Sequence, residues 1–523
     1  MKDASSVIGL EATALKLDAF WAATCALTAT VAGVLFALVR VWPPHEDEAL
    51  ALFVGRGSPG DVLHTVVAER GGAPLHFLLA WGVVHLGGGL TALRVVSLAF
   101  AVASVPLIAL LGRRLADPAT GVLAAAFAAA SWVFLFHAVF GRMYSLFLFT
   151  SLLSFLTLLA RRYVWWGIAL LLLLASHPYA LLVVAIQALW VVAERRDLRK
   201  SFTTLGVVAA AGIPFWWADA VLRNRFDVGI GGGGTRLGSP TAVLRYLWSV
   251  AGDFSSHEHV WSICLIVLAG AGAVLLARRN PSGALLTLCV IGLPALAFTL
   301  ATLRSTTSPE ARHLIFALPF FSLLLALPLV AAARQSAAFA VAAALAAVVV
   351  VAGDARWAHD KTPELFDGDP AGEAHARDAA AGWLVSRARH DDVLLGYEPV
   401  FLRAWEERRS FSDNVLPRAD PALFADALEG LPRPLGRGMW VFDASDTTNA
   451  EQRAMIRYVL PEPARDFEAG VFGPYLVIRS RRPLLTPARY VATAEKVMRV
   501  GRSLHINDAD VNLTTMREAE SRL

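Results

Sequence analysis

A chain of 523 residues that is 56% hydrophobic and 17% charged, with a mean hydropathy of +0.53, is too apolar for a soluble enzyme and predicts a polytopic α-helical membrane protein. A net charge of +4 and a pI near 9.1 would suit a nucleic-acid partner, but the arginines fall in short loops between apolar blocks, where membrane orientation places them, so no nucleic acid is expected. Cys25, Cys264 and Cys289 all lie in apolar stretches without metal-ligand spacing, and neither a metal nor a cofactor is expected.

The first apolar run, 18–41, has one internal charge, Arg40, and at about 22 residues crosses a hydrocarbon layer of roughly 30 Å. No small-residue cleavage site follows a short apolar core, so this span is expected to stay as an anchor. Pro43 and Pro44 close it, because proline removes a donor and disfavours helical geometry in the residue before it. Three consecutive carboxylates follow, Glu46, Asp47 and Glu48, on what reads as an extended loop where neighbouring side chains point to opposite sides. Up to about Val351 the chain consists of apolar blocks; beyond it charges and prolines occur at globular frequency. The expected domains are a membrane domain, 1–353, with a first external loop at 42–89, and a soluble domain, 354–523.

Cytoplasmic loops carry excess Lys and Arg, which marks Arg113-Arg114, Arg161-Arg162, 194–200, Arg278-Arg279 and Arg334 as inside. With a cytoplasmic N-terminus, parity predicts about eleven spans, at 19–41, 90–111, 120–139, 143–160, 163–176, 179–193, 201–222, 259–277, 282–303, 312–333 and 335–353. The C-terminal domain then lies outside a plasma (inner) membrane. Segment 73–86 is short for a span and would break this parity, so it is expected to lie along the outer surface. Ser176-His177-Pro178-Tyr179 breaks the fifth span from the sixth, and polar groups at such a break need protein or water to satisfy them.

The external stretch 223–258 reads as a loop, with the glycine run 229–234 serving equally well as a lid or a connection. His257-Glu258-His259 lacks a third ligand, so a metal site there is not favoured. In the tail, helices are expected at 373–389, 421–431, 450–459 and 487–500, and strands at 392–397, 439–443 and within 467–480, an α/β pattern. It has no phosphate loop or nucleophile elbow and reads as a structural or acceptor-binding cap.

Polar residues far apart in sequence collect at the outer ends of the spans: Asp47 and Glu48, His64, Glu69, Arg70 and His76, His137 with Arg142 and Tyr144, His177 and Tyr179, and Arg304, Glu310, Arg312 and His313. Each alone is ordinary interface chemistry; together they look like a binding site. Asp47-Glu48-Ala49, Pro74-Leu75-His76-Phe77, Leu111 to Leu115, Gly141-Arg142-Met143-Tyr144, Ser176 to Ala180 and Arg312 to Pro319 occur in the order seen in GT-C glycosyltransferases. The chain resembles the branch of bacterial protein O-mannosyltransferases and aminoarabinose transferases, glycosyltransferase family 39 and its relatives. Phe140 stands where many relatives have Glu, and Gly72-Ala73-Pro74 where they have His-Pro-Pro. The resemblance covers the membrane domain and implies a GT-C fold and transfer of a mannose-like, arabinose-like or other sugar.

Topology leads to the same chemistry. Nucleotide sugars are not expected outside the cytoplasm, so a sugar would arrive on a polyprenyl phosphate, with its tail in the bilayer and its phosphate at the level of these residues. An acceptor hydroxyl attacking an anomeric carbon needs a base for its proton and positive charge for the leaving phosphate. The expected base is Asp47 with Glu48 positioning it, an order that sequence leaves open. Arg142, Arg312 and His313 are expected at the phosphate, and His76, Tyr144, His177 and Tyr179 as further substrate contacts. The expected partners are the lipid-linked donor, a lipid, glycan or protein acceptor, and membrane lipid. A transporter of lipid-linked sugars is the competing reading; it predicts internal repeats and broken spans near the midplane, and no repeat is visible.

Overall fold

The computed structural model describes residues 4–195, 197–225, 237–256, 259–301, 309–370, 372–418, 421–443 and 466–523. Arg304, Gly229 to Gly234, His257 with Glu258, and the helix expected at 450–459 lie outside them. In chain order the helices are α1 (Ala4–Leu38), α2 (Glu46–Val54), α3 (Pro59–His64), α4 (Pro74–His85), α5 (Leu90–Leu115), α6 (Pro118–Ala130), α7 (Trp132–Val139), α8 (Tyr144–Leu159), α9 (Tyr163–Ser176), α10 (Ala180–Glu194), α11 (Leu198–Ala211), α12 (Ile213–Arg225), α13 (Pro240–Asp253), α14 (His259–Arg279) and α15 (Pro281–Ala301). A 3₁₀ helix, Ala311–Ala317, leads into α16 (Leu318–Ala333), which is followed by α17 (Ala337–Lys361) and the short α18 (Glu364–Asp367).

The chain divides into two compact units: one of residues 1–42, 63–79 and 91–366, the other of 43–62, 80–90 and 367–523. In the first unit, all eleven segments expected to span are helical. Among the described residues, six elements are long and apolar enough to cross a membrane, or eight if the bent pairs α6/α7 and α11/α12 each count once. The count of eleven is not reached, because α8, α9 and α10 have only 16, 14 and 15 residues. At about 1.5 Å per residue they rise roughly 21–24 Å, short of a hydrocarbon core.

Two breaks position the functional side chains. Ser131 adopts an extended backbone between α6 and α7 and accepts the Phe134 N–H at 3.3 Å, so α7 starts as a separately capped helix bent by 65° from α6. His177 ends α9 in an extended conformation, as the residue before a proline prefers, and its Nδ1 accepts the Tyr179 N–H at 3.1 Å. The core of this unit is aliphatic and aromatic, with Phe134, Phe147, Phe155, Phe316 and Phe320 all at most 1% exposed.

In the second unit, α19 (Glu373–Val385), β1 (Val393–Leu395), α20 (Pro399–Glu407), β2 (Asn414–Leu416), α21 (Pro421–Glu429), β3 (Gly438–Asp443), β4 (Phe467–Phe472), β5 (Tyr475–Ser480) and the helices Pro487–Ser503 and Asn507–Glu520 form an α/β layer structure. The sheet order is β2-β1-β3-β5-β4, with β1 parallel to β2 and β3, and β5 antiparallel to β3 and β4. The core behind it holds Trp440, Tyr490, Phe424 and Ile478, all at 0% exposure. The strand and helix pattern read from the sequence is largely present. Helices α20 and Asn507–Glu520 and strand β2 went unread, because β2 is three residues long and both helices are short stretches of mixed polarity.

Candidate functional site

The first unit gathers five of the expected residues into one buried aromatic and imidazole cluster. Tyr144 opens α8, and its ring centroid lies 5.5 Å from that of His177 and 6.2 Å from that of His313. Tyr179 stacks on His313 at 4.7 Å with the ring planes within 11°, and His177 sits 5.6 Å from His313. The Arg312 guanidinium lies 5.2 Å above the Tyr144 ring, a cation–π arrangement, and its Nη2 donates to Glu310 Oε1 at 2.6 Å. The local fold supplies this geometry. Glu310 caps the 3₁₀ helix and donates its own N–H to His313 Nδ1 at 2.8 Å, which holds the imidazole. Arg142 lies close enough for its charge to reach His137 and His177, and its carbonyl accepts from Ser97 Oγ at 3.2 Å. His76 is buried in the first turn of α4, with its ring edge-on to Phe77 at 5.6 Å.

Beside the cluster is a cavity of about 620 Å³ bounded by α7, α13, the start of the 3₁₀ helix and the end of α17. Arg245, Arg312 and Lys361 line it, with Asp253, Glu310 and the rings of Trp132, Phe136 and Tyr246. Lys361 Nζ pairs with Asp253 at 2.5 Å and lies 3.5 Å above the Trp132 ring; Tyr246 donates its hydroxyl to the Glu310 carbonyl at 3.0 Å. His137 also faces this cavity. It is 1% exposed, and neither ring nitrogen has a hydrogen-bond partner among the described residues.

Several of these residues escaped the sequence reading. Helix α13 lies in the stretch 223–258 read as a loop; the correction follows from Ser239-Pro240, where Ser239 Oγ accepts the Ala242 N–H at 3.2 Å and proline takes the first helical position. That signature was visible and would have brought Arg245 and Tyr246 into view. Helix α17 runs to Lys361, beyond the 353 expected from apolarity alone, because Val350, Asp354 and Ala358, four residues apart, continue one buried face past the apolar run.

Asp47 and Glu48 belong to the second unit, and the extended loop expected for them is corrected: they occupy the first turn of α2. His45 caps this helix, its Nδ1 accepting the Asp47 N–H at 3.1 Å, while Glu48 reaches back to accept the His45 N–H at 3.2 Å. Carboxylates in a first turn also oppose the positive end of the helix dipole. On a helix the two side chains are separated by about 100°, so they diverge, with Glu48 fully buried and Asp47 half-buried. Glu46 is half taken up by Arg418, which donates to it at 2.8 Å and also to Glu398. Among the described residues no group of three or more His, Cys, Asp or Glu can hold a metal ion.

No family model matches the chain, and no curated protein does either. Among solved structures, it is similar to ArnT from Cupriavidus metallidurans in the apo state, at 14% identity over 87% of this chain and 97% of that one, with a TM-score of 0.54. The same enzyme bound to undecaprenyl phosphate matches at 16% identity over the same shares, with a TM-score of 0.53. At such identities the likeness is one of fold alone.

Proposed function

We propose that the protein is an integral membrane glycosyltransferase that moves a hexosyl or pentosyl residue from a polyprenyl-phosphate carrier to an extracytoplasmic hydroxyl, with inversion. The observation that carries this reading is the cavity with three cationic side chains, Arg245, Arg312 and Lys361, in a unit otherwise built of apolar helices. Glu310 and Asp253 offset two of these charges and leave the lining one positive charge in excess, and a charge in such surroundings is kept where an anion is met. A phosphate at the head of a lipid is the anion that such a unit would meet. The fold shared with ArnT, one structure of which holds undecaprenyl phosphate, supports the same choice of ligand.

In this reading Arg312, with Arg142 and His313, neutralises the phosphate, and His76, Tyr144, His177 and Tyr179 shape its surroundings. Arginine suits the task because its planar fork matches two phosphate oxygens. Asp47 takes the proton of the acceptor hydroxyl as its oxygen bonds to the anomeric carbon; the bond from that carbon to the phosphate oxygen breaks, and polyprenyl phosphate leaves with the electron pair. Glu48, tied to the His45 N–H and buried, suits a holding role, whereas Asp47 keeps its carboxylate half-exposed, which favours Asp47 as the base. The acceptor is a lipid, glycan or protein hydroxyl, and the C-terminal domain lies outside the plasma membrane.

The test is mass spectrometry of lipid that copurifies with the full-length protein, followed by single-turnover transfer from a defined polyprenyl-phosphate sugar. Bound polyprenyl phosphate or its sugar ester, and transfer from the supplied donor, are expected. Ordinary phospholipid alone, together with no uptake of polyprenyl phosphate at any concentration, would end this reading.

A further inference from the structure

The charge balance and the hydrogen-bonding vacancies of the cavity in the first unit bear on which sugar it admits. Among the described residues that line it, three are cationic, Arg245, Arg312 and Lys361, and two are anionic, Asp253 and Glu310. Both carboxylates are already engaged: Glu310 by Arg312 at 2.6 Å and Asp253 by Lys361 at 2.5 Å. Arg245, on the exposed side of α13, has no ion pair among the described residues, so the lining carries an excess positive charge.

The remaining polar groups of the lining are Ser249, Tyr246, whose hydroxyl donates to the Glu310 carbonyl, and His137. The His137 ring is held by aromatic neighbours, 4.6 Å from Tyr144 and 4.9 Å from Phe136 between centroids, and it is buried with neither nitrogen partnered among the described residues. Leaving a buried imidazole without partners is costly, and the cost is recovered when a ligand supplies them. An imidazole with one N–H and one lone pair is matched by a hydroxyl group, which accepts and donates. Trp132, Phe136 and Tyr246 add the apolar faces on which the C–H side of a sugar ring packs.

We infer that the cavity holds the sugar of the donor, and that this sugar is neutral or acidic, with a hydroxyl on His137, and not an amino sugar. The inference rests on the glycosyltransferase reading above and narrows its donor. With the phosphate at Arg312 and both carboxylates occupied, an ammonium group on the sugar would meet Arg245 as a further cation, and like charges at close quarters oppose binding. A hydroxyl, or a carboxylate facing Arg245, meets no such opposition.

The experiment compares four probes on the full-length protein in nanodiscs: bare polyprenyl phosphate, and the same lipid carrying a neutral hexose, its uronic acid, or its amino-deoxy analogue. Competition binding is expected to rank the neutral and acidic sugars at least about tenfold above the amino sugar. Arg245→Glu, on an exposed helix face, is expected to narrow or reverse that gap. His137→Phe is expected to weaken the sugar-bearing probes while leaving bare polyprenyl phosphate unchanged, with His137→Gln partly restoring them. Equal or tighter binding of the amino sugar, or a ratio unmoved by Arg245→Glu, would overturn the inference while the glycosyltransferase reading stands. If bare polyprenyl phosphate and every sugar ester fail to bind, both fall together.

Discussion

At the scale of single residues, the proposed base and its neighbour separate cleanly because a helix turns by about 100° per residue. Asp47→Asn keeps shape and hydrogen bonding but cannot take a proton, and single-turnover transfer is expected to fall by about a hundred- to ten-thousandfold with donor binding nearly unchanged. Glu48→Gln is expected to act mainly on stability, since its carboxylate accepts the His45 N–H within the cap. Transfer at the wild-type rate in both variants would remove α2 from the chemistry. Arg312→Ala leaves Glu310 without its partner and is expected to weaken polyprenyl-phosphate-sugar binding about tenfold or more, since a hydrogen bond to a charged group contributes roughly 1.5–3 kcal/mol. Titration of the retained activity against donor concentration measures it.

Glu468 gives a residue-scale prediction about pH. The hydrogen bond from Arg387 holds its carboxyl below the ordinary value of 4.5, aided by the charges of Arg387, Arg479 and Arg481. A folded pKa below the unfolded one means that the stabilisation is present above about 4.5 and is lost as pH falls through the folded value. Hydrogen exchange of the β4–β5 hairpin is expected to show wild type more protected than Glu468→Gln at neutral pH, with the difference vanishing in acid. A difference that persists unchanged at low pH would show that the charge is not its source.

At the scale of elements, the apolar helices owe their packing to where small residues let backbones meet. Gly112 on α5 and Gly121 on α6 face one another, and a Cβ added at Gly121 would lie 2.7 Å from the Arg113 nitrogen and closer still to the Ala109 carbonyl oxygen. Backbone atoms cannot yield as a flexible side chain does. Gly121→Val is therefore expected to force α5 and α6 apart and to destabilise the first unit by about 1–3 kcal/mol, seen as a lowered midpoint of thermal unfolding in detergent. An unchanged midpoint would mean that the two helices adjust freely. The broken elements follow local chemistry instead: Ser131 and His177 each replace a helical residue with an extended one, and each break brings an imidazole, His137 or His177, to the cluster.

At the scale of the whole molecule, the arginine loops propose an orientation. A reporter active only outside the cytoplasm, fused after Leu523, is expected to be active, because Lys and Arg are retained on the inner side. A silent reporter there, with a cytoplasmic one active at the same position, would reverse the topology. The second unit also contains parts of the first loop: Arg56 forms an ion pair with Asp413 and lies over the Trp405 ring at 5.0 Å, with its own charge disfavoured, down to a pKa of about 10, by burial and by Arg409. Residues 43–62 and 80–90 therefore owe their packing to side chains more than 300 positions away.

What the sequence determined by itself was whatever depends on composition, period and local chemistry. Among the described residues, apolar blocks marked the long helices of the first unit, Ser176-His177-Pro178-Tyr179 marked a break, and the ordered short motifs from Asp47 to Arg312 carried a resemblance that agrees with the fold shared with ArnT. These signals are legible because a bilayer and a proline act on contiguous residues. The tertiary structure decided what depends on separate stretches meeting. It showed that three apolar helices are shorter than a bilayer, joined His137, Arg245 and Lys361 to the cavity with Arg312, and placed Asp47 and Glu48 on a helix whose buried face packs, through Phe53, on Tyr397 and Trp405. None of these is written in a local pattern, because the side chains that stabilise each arrangement are supplied by distant parts of the chain, and the free energy that selects it exists only once they are in contact.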